Sequence, residues 1–343
     1  MTKQRCHLSF KNHFELYDNV TSTPIKIASF SGIPKVTIAI PTYKRATLLK
    51  EAIESALNQK GHINYDVIIV DNNPIREDET ELLINENYFD YPCLSYYKNT
   101  ENIGMSGNWN RLYQLAKGEW VVMLHDDDML YDDYLEILFT KIISKYPNFD
   151  AYRPPIQVFS DSSIPKRKTT ILSYRHVRLH NLYRRNIIDV PSGICMKKEM
   201  VLQSGGYNSE FYPASDYEFY VRNIKEGYNY MIINGYPLFL YRIFQNDSMN
   251  IEVIKGFITQ GKNIKDCLLE NHSPIIKHFW NQHFQISSMN TIHRAEKIFN
   301  KEAVTLKKQL NIKPTLYAYF IYYCIQMLTR LLETLSTKKL AQI

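Results

Sequence analysis

The 343-residue chain has little of what marks several common classes of protein. Its five cysteines are scattered and no two have the spacing of a metal-binding or redox motif, so we expect free thiols in a reducing, cytoplasmic compartment. Residues 1–10 contain no apolar core ahead of a cleavage site, which predicts that they are not a secretory signal. The net charge of +6 includes no long basic run, so we expect no nucleic-acid partner.

The connection after the first predicted strand is not rich in glycine. Residues 36–40 form a β-branched apolar run that predicts this strand, and Pro41, Thr42, Tyr43 and Arg45 lie in the loop that follows it. A dinucleotide-binding fold would have Gly-x-Gly-x-x-Gly in this loop, and a P-loop would have Gly-Lys-Ser/Thr. The sequence therefore supports neither of these two phosphate-binding motifs.

Two further strand ends carry polar side chains. Residues 65–70 predict a second strand that ends at Asp71, which could form a turn or accept hydrogen bonds from a nucleotide. Residues 94–97 predict a third strand, and the segment after it contains Asn102, Gly104 and Asn108 and leads into a helix. A helix N-terminus presents free N–H groups to phosphate, although a plain strand-to-helix connection has the same pattern.

Three consecutive acids follow the most apolar predicted strand. Residues 120–124 form this strand, and Asp126, Asp127 and Asp128 come directly after it. Adjacent carboxylates repel one another, and a divalent cation with oxygen ligands, Mg²⁺ or Mn²⁺, would relieve the repulsion. The alternative is that Asp127 or Asp128 caps a helix that begins near residue 131.

Strands and helices alternate from residue 36 to residue 138. This alternation predicts an α/β fold with a doubly wound, mostly parallel sheet, whose nucleotide-binding half resembles a Rossmann fold. Ligands of such sheets bind beyond the carboxyl ends of the strands, which is where the polar segments lie.

A second informative stretch runs from residue 188 to residue 219. Ser192 and Gly193 lie in a loop before a predicted strand, and Gly206 and Tyr207 follow a short predicted helix. Asp216 and Glu218 then begin a helix that ends before residue 227. Acids in a first helical turn are stabilised by the helix dipole, so each of them alone could have a purely structural role.

The ordered set of motifs resembles the inverting family-2 glycosyltransferases of the GT-A fold, of the type that makes bacterial surface polysaccharides. The motifs are Pro41-Thr42-Tyr43-Lys44-Arg45, Val70-Asp71-Asn72-Asn73, Asn102-Ile103-Gly104, Gly107-Asn108-Trp109-Asn110, His125-Asp126-Asp127-Asp128 and Ser215-Asp216-Tyr217-Glu218. The resemblance covers about residues 36–242. It implies a hexosyltransferase that moves a sugar from a nucleotide-diphosphate donor to a hydroxyl of a saccharide or lipid-linked saccharide acceptor.

The resemblance also implies roles for single residues. Asp216 would be the catalytic base, and Asp128, with Asp126, would hold a divalent metal, Mg²⁺ or Mn²⁺. The implied donor-binding residues are Pro41, Thr42, Tyr43, Arg45, Asp71, Asn102, Gly104, Asn108, Asp126 and Asp127. The implied acceptor-side residues are Ser192, Gly193, Gly206, Tyr207 and Glu218.

The sequence departs from the family pattern at two places. Ser215 stands where many members have glutamate, and residues 243–246 contain no histidine where relatives often have one. No Gln-x-x-Arg-Trp motif occurs, so the resemblance implies one sugar per encounter and not a processive synthase.

The motifs divide the chain into three parts. Residues 1–34 form an N-terminal extension, 35–245 the GT-A domain, and 246–343 a helical C-terminal region. Residues 316–328 are rich in tyrosine and too short for a membrane span, which takes about 20 apolar residues. They fit a helix at the inner face of the cell membrane, and equally a helix docked on the enzyme or on a second copy.

Two other functions compete with transfer of a sugar. A sugar-nucleotide pyrophosphorylase shares the fold class and the need for a metal, but it would have a glycine-rich basic loop after the first strand. An inactive carbohydrate-binding or scaffold domain would not need a general base, so Asp126, Asp128 and Asp216 together favour an enzyme.

Overall fold

The computed structural model describes residues 11–29, 32–160, 166–167, 171–243, 250–299 and 301–339. The strands in these ranges are β1 (Ser22–Lys26), β2 (Val36–Thr42), β3 (Tyr65–Asp71), β4 (Leu94–Asn99), β5 (Trp120–Met123), β6 (Met129–Leu130), β7 (Ala151–Arg153), β8 (Ile156–Phe159), β9 (Ser173–Val177), β10 (Cys195–Lys197), β11 (Tyr230–Asn234), β12 (Phe239–Arg242) and β13 (Lys338–Lys339).

The helices alternate with the strands in the first half of the chain and follow one another in the last third. They are α1 (Ala46–Leu57), α2 (Glu79–Asn87), α3 (Gly104–Leu115), α4 (Tyr134–Glu136), α5 (Lys198–Gln203), α6 (Ser215–Lys225), α7 (Ile251–Leu268), α8 (Pro274–Phe299), α9 (Lys301–Gln309) and α10 (Leu316–Ser336). A π-helical stretch, Ile137–Ile143, continues α4. Short 3-10 turns occur at Glu15–Tyr17, Leu179–Leu182 and Ser209–Phe211.

The main sheet has ten strands in the order β1-β4-β3-β2-β5-β10-β7-β11-β9-β13. Its centre, β4-β3-β2-β5, is parallel, and β11 is parallel to β7, whereas β1 and β10 pair antiparallel with their neighbours. A second sheet has the order β6-β12-β8. The predicted α/β fold around a parallel central sheet is confirmed.

The central strands are buried on both faces. Every residue of β2 is buried, and alternate residues face opposite cores. Ile38 and Ile40 belong to the core that includes α1, whereas Ala39 belongs to the core that includes α3. Burial on two faces explains why these strands are continuous apolar runs in the sequence.

The carboxyl ends of β2, β3 and β5 lie side by side because these strands are parallel neighbours. Thr42 of β2 is paired with Asp71 of β3, and Ala39 of β2 is paired with Met123 of β5. The polar segments after the three strands therefore leave the sheet at one edge, as the sequence predicted.

The described part of the N-terminal extension packs on the domain. β1 pairs antiparallel with β4 and so adds an edge strand to the main sheet. The Arg111 guanidinium of α3 holds this segment by donating to Tyr17 O (2.9 Å) and to Ser22 Oγ (2.9 Å). The described part of the extension is thus attached to the domain through β1 and through Arg111.

The expectation that all the cysteines are free thiols is wrong. Cys93, Cys195 and Cys324 are free, but Cys267 is disulfide-bonded. Disulfide formation depends on the geometry of the fold, and the spacing of the cysteines in the sequence does not identify Cys267 as a bonded one.

The C-terminal region consists of α7 to α10, followed by the two-residue strand β13. α10 packs on α8 and ends beside β9, to which β13 is hydrogen-bonded. None of the helices in the described ranges combines the length and the apolar character that a membrane span requires. The predicted domain boundary at residues 245 and 246 lies outside the described residues.

Candidate active site

A cleft of about 780 Å³ opens at the edge where β2, β3 and β5 end. It is lined by Tyr17, Pro41, Thr42, Tyr43, Arg45, Asn72, Asn102, Ile103, Gly104, Met105, Ser106, Asn108, Trp109, His125, Asp126, Asp127, Val190, Pro191, Ser209, Tyr212, Pro213, Asp216, Tyr241, Val253 and Phe257. The cleft thus brings together all the predicted donor-side residues except Asp71. It also contains the predicted base, Asp216.

Asp71 does not line the cleft, because its carboxylate is fully buried beneath it. It accepts hydrogen bonds from Lys98 Nζ (2.8 Å), Tyr96 OH (2.9 Å) and the Asn73 backbone N–H (2.9 Å). Burial raises the pKa of Asp71 and the Lys98 ammonium lowers it. Asp71 therefore fixes the end of β3, and a direct contact with the donor would require this network to open.

Asn72, which the sequence analysis did not single out, reaches the cleft in place of Asp71. Its side-chain amide donates to Asn102 Oδ1 (2.8 Å) and Gly104 O (3.2 Å), and its oxygen accepts from the Ile103 backbone N–H (3.0 Å). Asn72 thus ties the end of β3 to the start of α3. Its only sequence signal was its place after Asp71 at a strand end.

The acidic triplet is held by residues from three other parts of the chain. Asp126 accepts a hydrogen bond from Thr42 Oγ1 (2.8 Å), and Arg45 Nη1 lies 3.0 Å from Asp127 Oδ2 and 3.5 Å from Asp126 Oδ1. The Arg242 backbone N–H donates to Asp128 Oδ1 (2.9 Å), and its guanidinium donates to Asp127 O (2.8 Å).

The capping alternative for the triplet is wrong. The helix after it, α4, begins at Tyr134, and Asp133 occupies the preceding position. Asp127 and Asp128 are therefore too early in the chain to cap this helix.

The triplet and its neighbour His125 could hold a metal ion. His125, Asp127 and Asp128 each offer one ligand atom, and these atoms lie within 4.8 Å of one another. Among the described residues, His125 Nε2 and Asp128 Oδ2 are buried and have no hydrogen-bond partner. A buried polar atom without a hydrogen-bond partner destabilises the folded state. A bound cation would provide a partner for both of these atoms, so the cluster is suited to hold one.

This grouping differs from the predicted metal pair. The resemblance implied that Asp128 and Asp126 hold the metal. In the structure, Asp128 is clustered with His125 and Asp127. Asp126 instead accepts a hydrogen bond from Thr42. Burial raises the pKa of Asp126 to about 7, and burial together with the charge of Asp127 raises the pKa of Asp128 well above its usual value. Repulsion between these buried acids is what a cation would relieve.

Asp216 lies at the start of α6 and reaches the same cleft. It is half-buried and accepts a hydrogen bond from Asn186 Nδ2 (2.9 Å), and no ion pair of Asp216 occurs within the described residues. Burial raises its pKa to about 7. A carboxylate with this pKa, free of a cation, can both accept and release a proton near neutral pH.

The loop before β10 supports the cleft from beneath. Ser192 is buried, and its hydroxyl oxygen accepts a hydrogen bond from the His125 backbone N–H (2.9 Å). The Gly193 carbonyl accepts a hydrogen bond from Tyr134 OH (2.7 Å). Neither residue lines the cleft, although the resemblance implied that both lie on the acceptor side.

The other three predicted acceptor-side residues are also inside the protein. Tyr207 stacks on Phe219, with ring centroids 4.2 Å apart, and Gly206 O accepts a hydrogen bond from Arg222 Nη2 (2.6 Å). Glu218 faces inward and pairs with Arg222 (2.8 Å). The helical period places Glu218 on the buried side of α6, whereas Asp216 reaches the cleft.

We expect Glu218→Gln to lower the free energy of unfolding by about 3–5 kcal/mol, because the substitution leaves Arg222 as a buried, uncompensated charge. Both side chains are almost fully buried. Urea denaturation followed by circular dichroism measures the change. Glu252→Gln, which breaks an exposed pair with Lys255, is the matched control and should cost less than about 1 kcal/mol. Equal effects of the two variants would contradict a structural role for Glu218.

The comparison with known proteins agrees with this site. Residues 37–205 match the model of the family described as glycosyl transferase family 2. Residues 37–205 therefore form a glycosyl transferase family 2 domain. The match includes the cleft residues of β2, β3, α3 and the acidic triplet, and it ends before Asp216. The enzyme is thus a glycosyltransferase, as the sequence predicted.

Two relatives illustrate the range of similarity. An uncharacterized glycosyltransferase of Haemophilus influenzae is 25% identical over 191 residues, which span 56% of this chain and 62% of that protein. The GalNAc(5)-diNAcBac-PP-undecaprenol beta-1,3-glucosyltransferase of Campylobacter jejuni is 26% identical over 231 residues, 65% of this chain and 70% of that protein.

The fold of this glycosyltransferase also resembles solved structures. S. aureus TarS 1-349 in complex with UDP-GlcNAc has a TM-score of 0.55 and 16% sequence identity, over 84% of this chain and 78% of that chain. This likeness confirms the predicted GT-A fold. The identity is too low to carry the ligand of TarS over to this enzyme.

Proposed function

We propose that this glycosyltransferase moves one sugar from a nucleotide-diphosphate donor to a hydroxyl of a saccharide or lipid-linked saccharide acceptor, with inversion at the anomeric carbon. The observation that carries the proposal is that one cleft is lined by Asp126 and Asp127 of the acidic triplet and by Asp216, a carboxylate with a pKa of about 7 and no ion pair among the described residues. One site can bind the charged leaving group, and the other can accept the proton of the acceptor.

The donor would lie along β2, β3 and the start of α3. Tyr43 is partly exposed in the cleft and offers a flat surface to a nucleotide base. Gly104 begins α3 with a φ of 71°, and no atom lies within 4 Å of where its Cβ would be, so a diphosphate can approach the helix N-terminus closely. The TarS structures that resemble this fold contain UDP-GlcNAc or UDP, which supports a nucleotide sugar as the class of donor.

The residues that would hold a divalent metal are His125, Asp127 and Asp128, with Asp126 beside them. When bound, Mg²⁺ or Mn²⁺ would neutralise charge that develops on the leaving diphosphate. Arg45 already lies against Asp126 and Asp127, so its guanidinium is placed to contact the diphosphate as well. Arg242 keeps the triplet in position, because its guanidinium donates to the Asp127 carbonyl and its backbone N–H donates to the Asp128 carboxylate.

Asp216 would act as the general base. Its carboxylate takes the proton of the acceptor hydroxyl while that oxygen forms a bond to the anomeric carbon. The bond from this carbon to the phosphate oxygen breaks on the opposite side, and the nucleoside diphosphate leaves with the bonding electrons. Asn186, which donates to Asp216 Oδ2, orients the carboxylate and leaves its other oxygen for the acceptor.

Binding and turnover assays separate this function from its two competitors. The test measures thermal shifts with nucleoside diphosphates, with and without Mn²⁺, and then product formation from the nucleotide sugar that stabilises the protein most. A glycosyltransferase releases nucleoside diphosphate. A pyrophosphorylase would instead form nucleoside triphosphate when pyrophosphate is added, and an inactive binding domain would bind without turnover.

The relatives point to a class of pathway. The Campylobacter jejuni relative is by name a glucosyltransferase that acts on an undecaprenol-linked saccharide. We therefore place this enzyme in cell-surface polysaccharide biosynthesis, at the cytoplasmic face of the membrane, where capsule, O-antigen and lipopolysaccharide precursors are made.

The outer face of α10 supports contact with such a membrane. Its exposed apolar side chains are Leu316, Tyr317, Phe320, Tyr323, Met327, Leu328, Leu331 and Leu335. Glu333, the one acid in this helix, faces inward and pairs with Arg184 (3.1 Å) and Arg175 (3.2 Å). The outer face is therefore apolar and carries the positive charge of Arg330 but no acid. A helix face with these properties is suited to bind an anionic lipid surface.

We expect a Phe320→Asp, Met327→Asp variant to lose binding to vesicles that contain anionic phospholipid, since two charges oppose burial of the apolar face. Flotation of full-length protein with such vesicles measures the effect, and donor hydrolysis should be unchanged. Phe89→Asp, at an exposed phenylalanine outside α10, is the control and should float like the unsubstituted protein. Flotation that does not change in the α10 variant would show that this face does not bind lipid.

A further inference from the structure

One wall of the cleft comes from residues that follow the family match at 37–205. Tyr212, Pro213, Val253 and Phe257 line the cleft there, and the last two belong to α7. We propose that Tyr212, Val253 and Phe257 form a platform that holds a sugar ring of the acceptor saccharide next to Asp216. This inference rests on the proposed function and names the part of the cleft that selects the acceptor.

Close packing at a glycine brings α7 to this wall. A Cβ on Gly256 would lie 2.5 Å from Pro213 Cδ, so a residue with a side chain would push the helix away. One turn further along, Gln260 Nε2 donates to Glu210 O (3.1 Å). Val253 and Phe257 are four residues apart and so lie on one face of α7. The contacts of Gly256 and Gln260 place that face along the cleft.

The platform leaves large aromatic surface open to solvent inside a concave site. Tyr212 is 51% exposed and Phe257 is 41% exposed, although both line the cleft. Exposed aromatic rings in a cleft are typical of ligand contacts, since a ligand that covers them removes apolar surface from water. A pyranose ring presents C–H groups on one face, which pack on an aromatic ring, while its hydroxyls stay free at the edge.

Part of the platform lies close to the proposed base in the chain. Tyr212 and Pro213 directly precede α6, whose second residue is Asp216. The acceptor hydroxyl must lie within hydrogen-bond reach of this carboxylate, so a ring on the platform has the required position. The donor-side residues come from earlier parts of the chain: Tyr43 follows β2, Asn102 precedes α3, and Gly104 is the first residue of α3.

A saccharide fits this wall better than a lipid chain. Polar groups, Ser209 and Asp216, lie among the apolar ones in the cleft lining. A lipid chain needs a continuous apolar groove, whereas a sugar has an apolar face and a hydroxylated rim. The platform thus has the acceptor-side role that the resemblance implied for Ser192, Gly206 and Glu218, which are buried.

The test compares Phe257→Ala with the aromatic replacement Phe257→Tyr. The probes are methyl glycosides, octyl glycosides and short oligosaccharides, assayed with the full-length enzyme at saturating donor. We expect Phe257→Ala to raise the acceptor KM at least about tenfold, and Phe257→Tyr to stay within about twofold of the unsubstituted enzyme. Donor KM and donor hydrolysis without acceptor should not change in either variant. Phe89→Ala, at an exposed phenylalanine outside the cleft lining, is the matched control.

The outcomes separate this inference from the proposed function. If the unsubstituted enzyme transfers sugar and Phe257→Ala behaves like Phe89→Ala, the platform is wrong and the function stands. A raised donor KM, acceptor affinity that follows only the octyl chain, or an enzyme that hydrolyses donor but uses none of the saccharides also overturns the platform. Failure of the unsubstituted enzyme to bind or cleave any nucleotide sugar overturns both.

Discussion

Asp216→Asn should lower the turnover number at least about a hundredfold, because general-base assistance contributes about 10²–10⁴-fold to such a reaction. The amide keeps the shape of the side chain and its place at the start of α6, but it cannot take a proton. Donor affinity should stay unchanged, since Asp216 is not part of the cluster of His125, Asp127 and Asp128 that could hold the metal. Steady-state kinetics with a saturating donor and calorimetry of donor binding measure the two quantities.

The pKa of Asp216 gives this prediction a pH dependence. Burial raises the pKa of Asp216 to about 7, and a base must be ionised to act. Turnover of the unsubstituted enzyme should therefore fall as the pH is lowered through about 7. The residual turnover of Asp216→Asn should not show this fall.

The raised pKa of Asp216 should also make the free energy of unfolding depend on pH, in the direction opposite to that of turnover. The folded state holds a proton on Asp216 up to a pH of about 7, whereas the unfolded chain releases it near the ordinary value of 3.8. The folded state thus binds more protons in this range, and the stability of the unsubstituted protein falls as the pH rises from about 4 to 7. The melting temperature of Asp216→Asn should rise relative to it over that range.

A near-normal turnover of Asp216→Asn would place the base elsewhere. Glu218 is not a candidate in that case, because it is buried and paired with Arg222. Neither acid of the first turn of α6 would then be the base.

Asp128→Asn should reduce the affinity for nucleoside diphosphate in the presence of Mn²⁺ to the value without Mn²⁺. The variant keeps an oxygen that can accept the Arg242 backbone hydrogen bond, so the fold should be preserved. It removes one carboxylate from the cluster with His125 and Asp127. Titration calorimetry with Mn²⁺ alone, and then with nucleoside diphosphate, measures both steps.

Two other variants make the metal prediction specific. His125→Gln should weaken Mn²⁺ binding as well, because His125 Nε2 is one of the unpartnered buried atoms of the cluster. Asp132→Asn, at an exposed acid that pairs with Lys60, should have no effect. Full Mn²⁺ affinity in His125→Gln, together with its loss in Asp126→Asn and Asp128→Asn, would restore the pair of ligands that the sequence favoured.

The parts of the site that could be predicted from sequence are those set by local pattern. The apolar runs of β2, β3 and β5 end at Thr42, Asp71 and Met123, and parallel pairing alone brings the following residues to one edge. The start of α6 at Ser215 also agrees with the predicted helix. These features depend on periodicity within a few residues, which a sequence displays directly.

The errors concern side chains whose direction depends on distant contacts. Asp71 and Asn72 are neighbours at one strand end, yet Lys98 and Tyr96 bind Asp71 in the interior and leave Asn72 in the cleft. Glu218 is turned inward because Arg222 is buried behind it. No local pattern distinguishes a polar residue that faces a ligand from one that faces a buried partner.

The cleft has walls from residues before and after the family match, and this limits how the enzyme can be recombined with its relatives. Tyr17 reaches the cleft from before the family match, and Phe257 reaches it from after the match. A chimaera that exchanged only residues 37–205 would combine the donor loops of one enzyme with the outer walls of another. An exchange of acceptor preference should therefore take residues 11–268 as its unit, since this range includes both Tyr17 and the whole of α7.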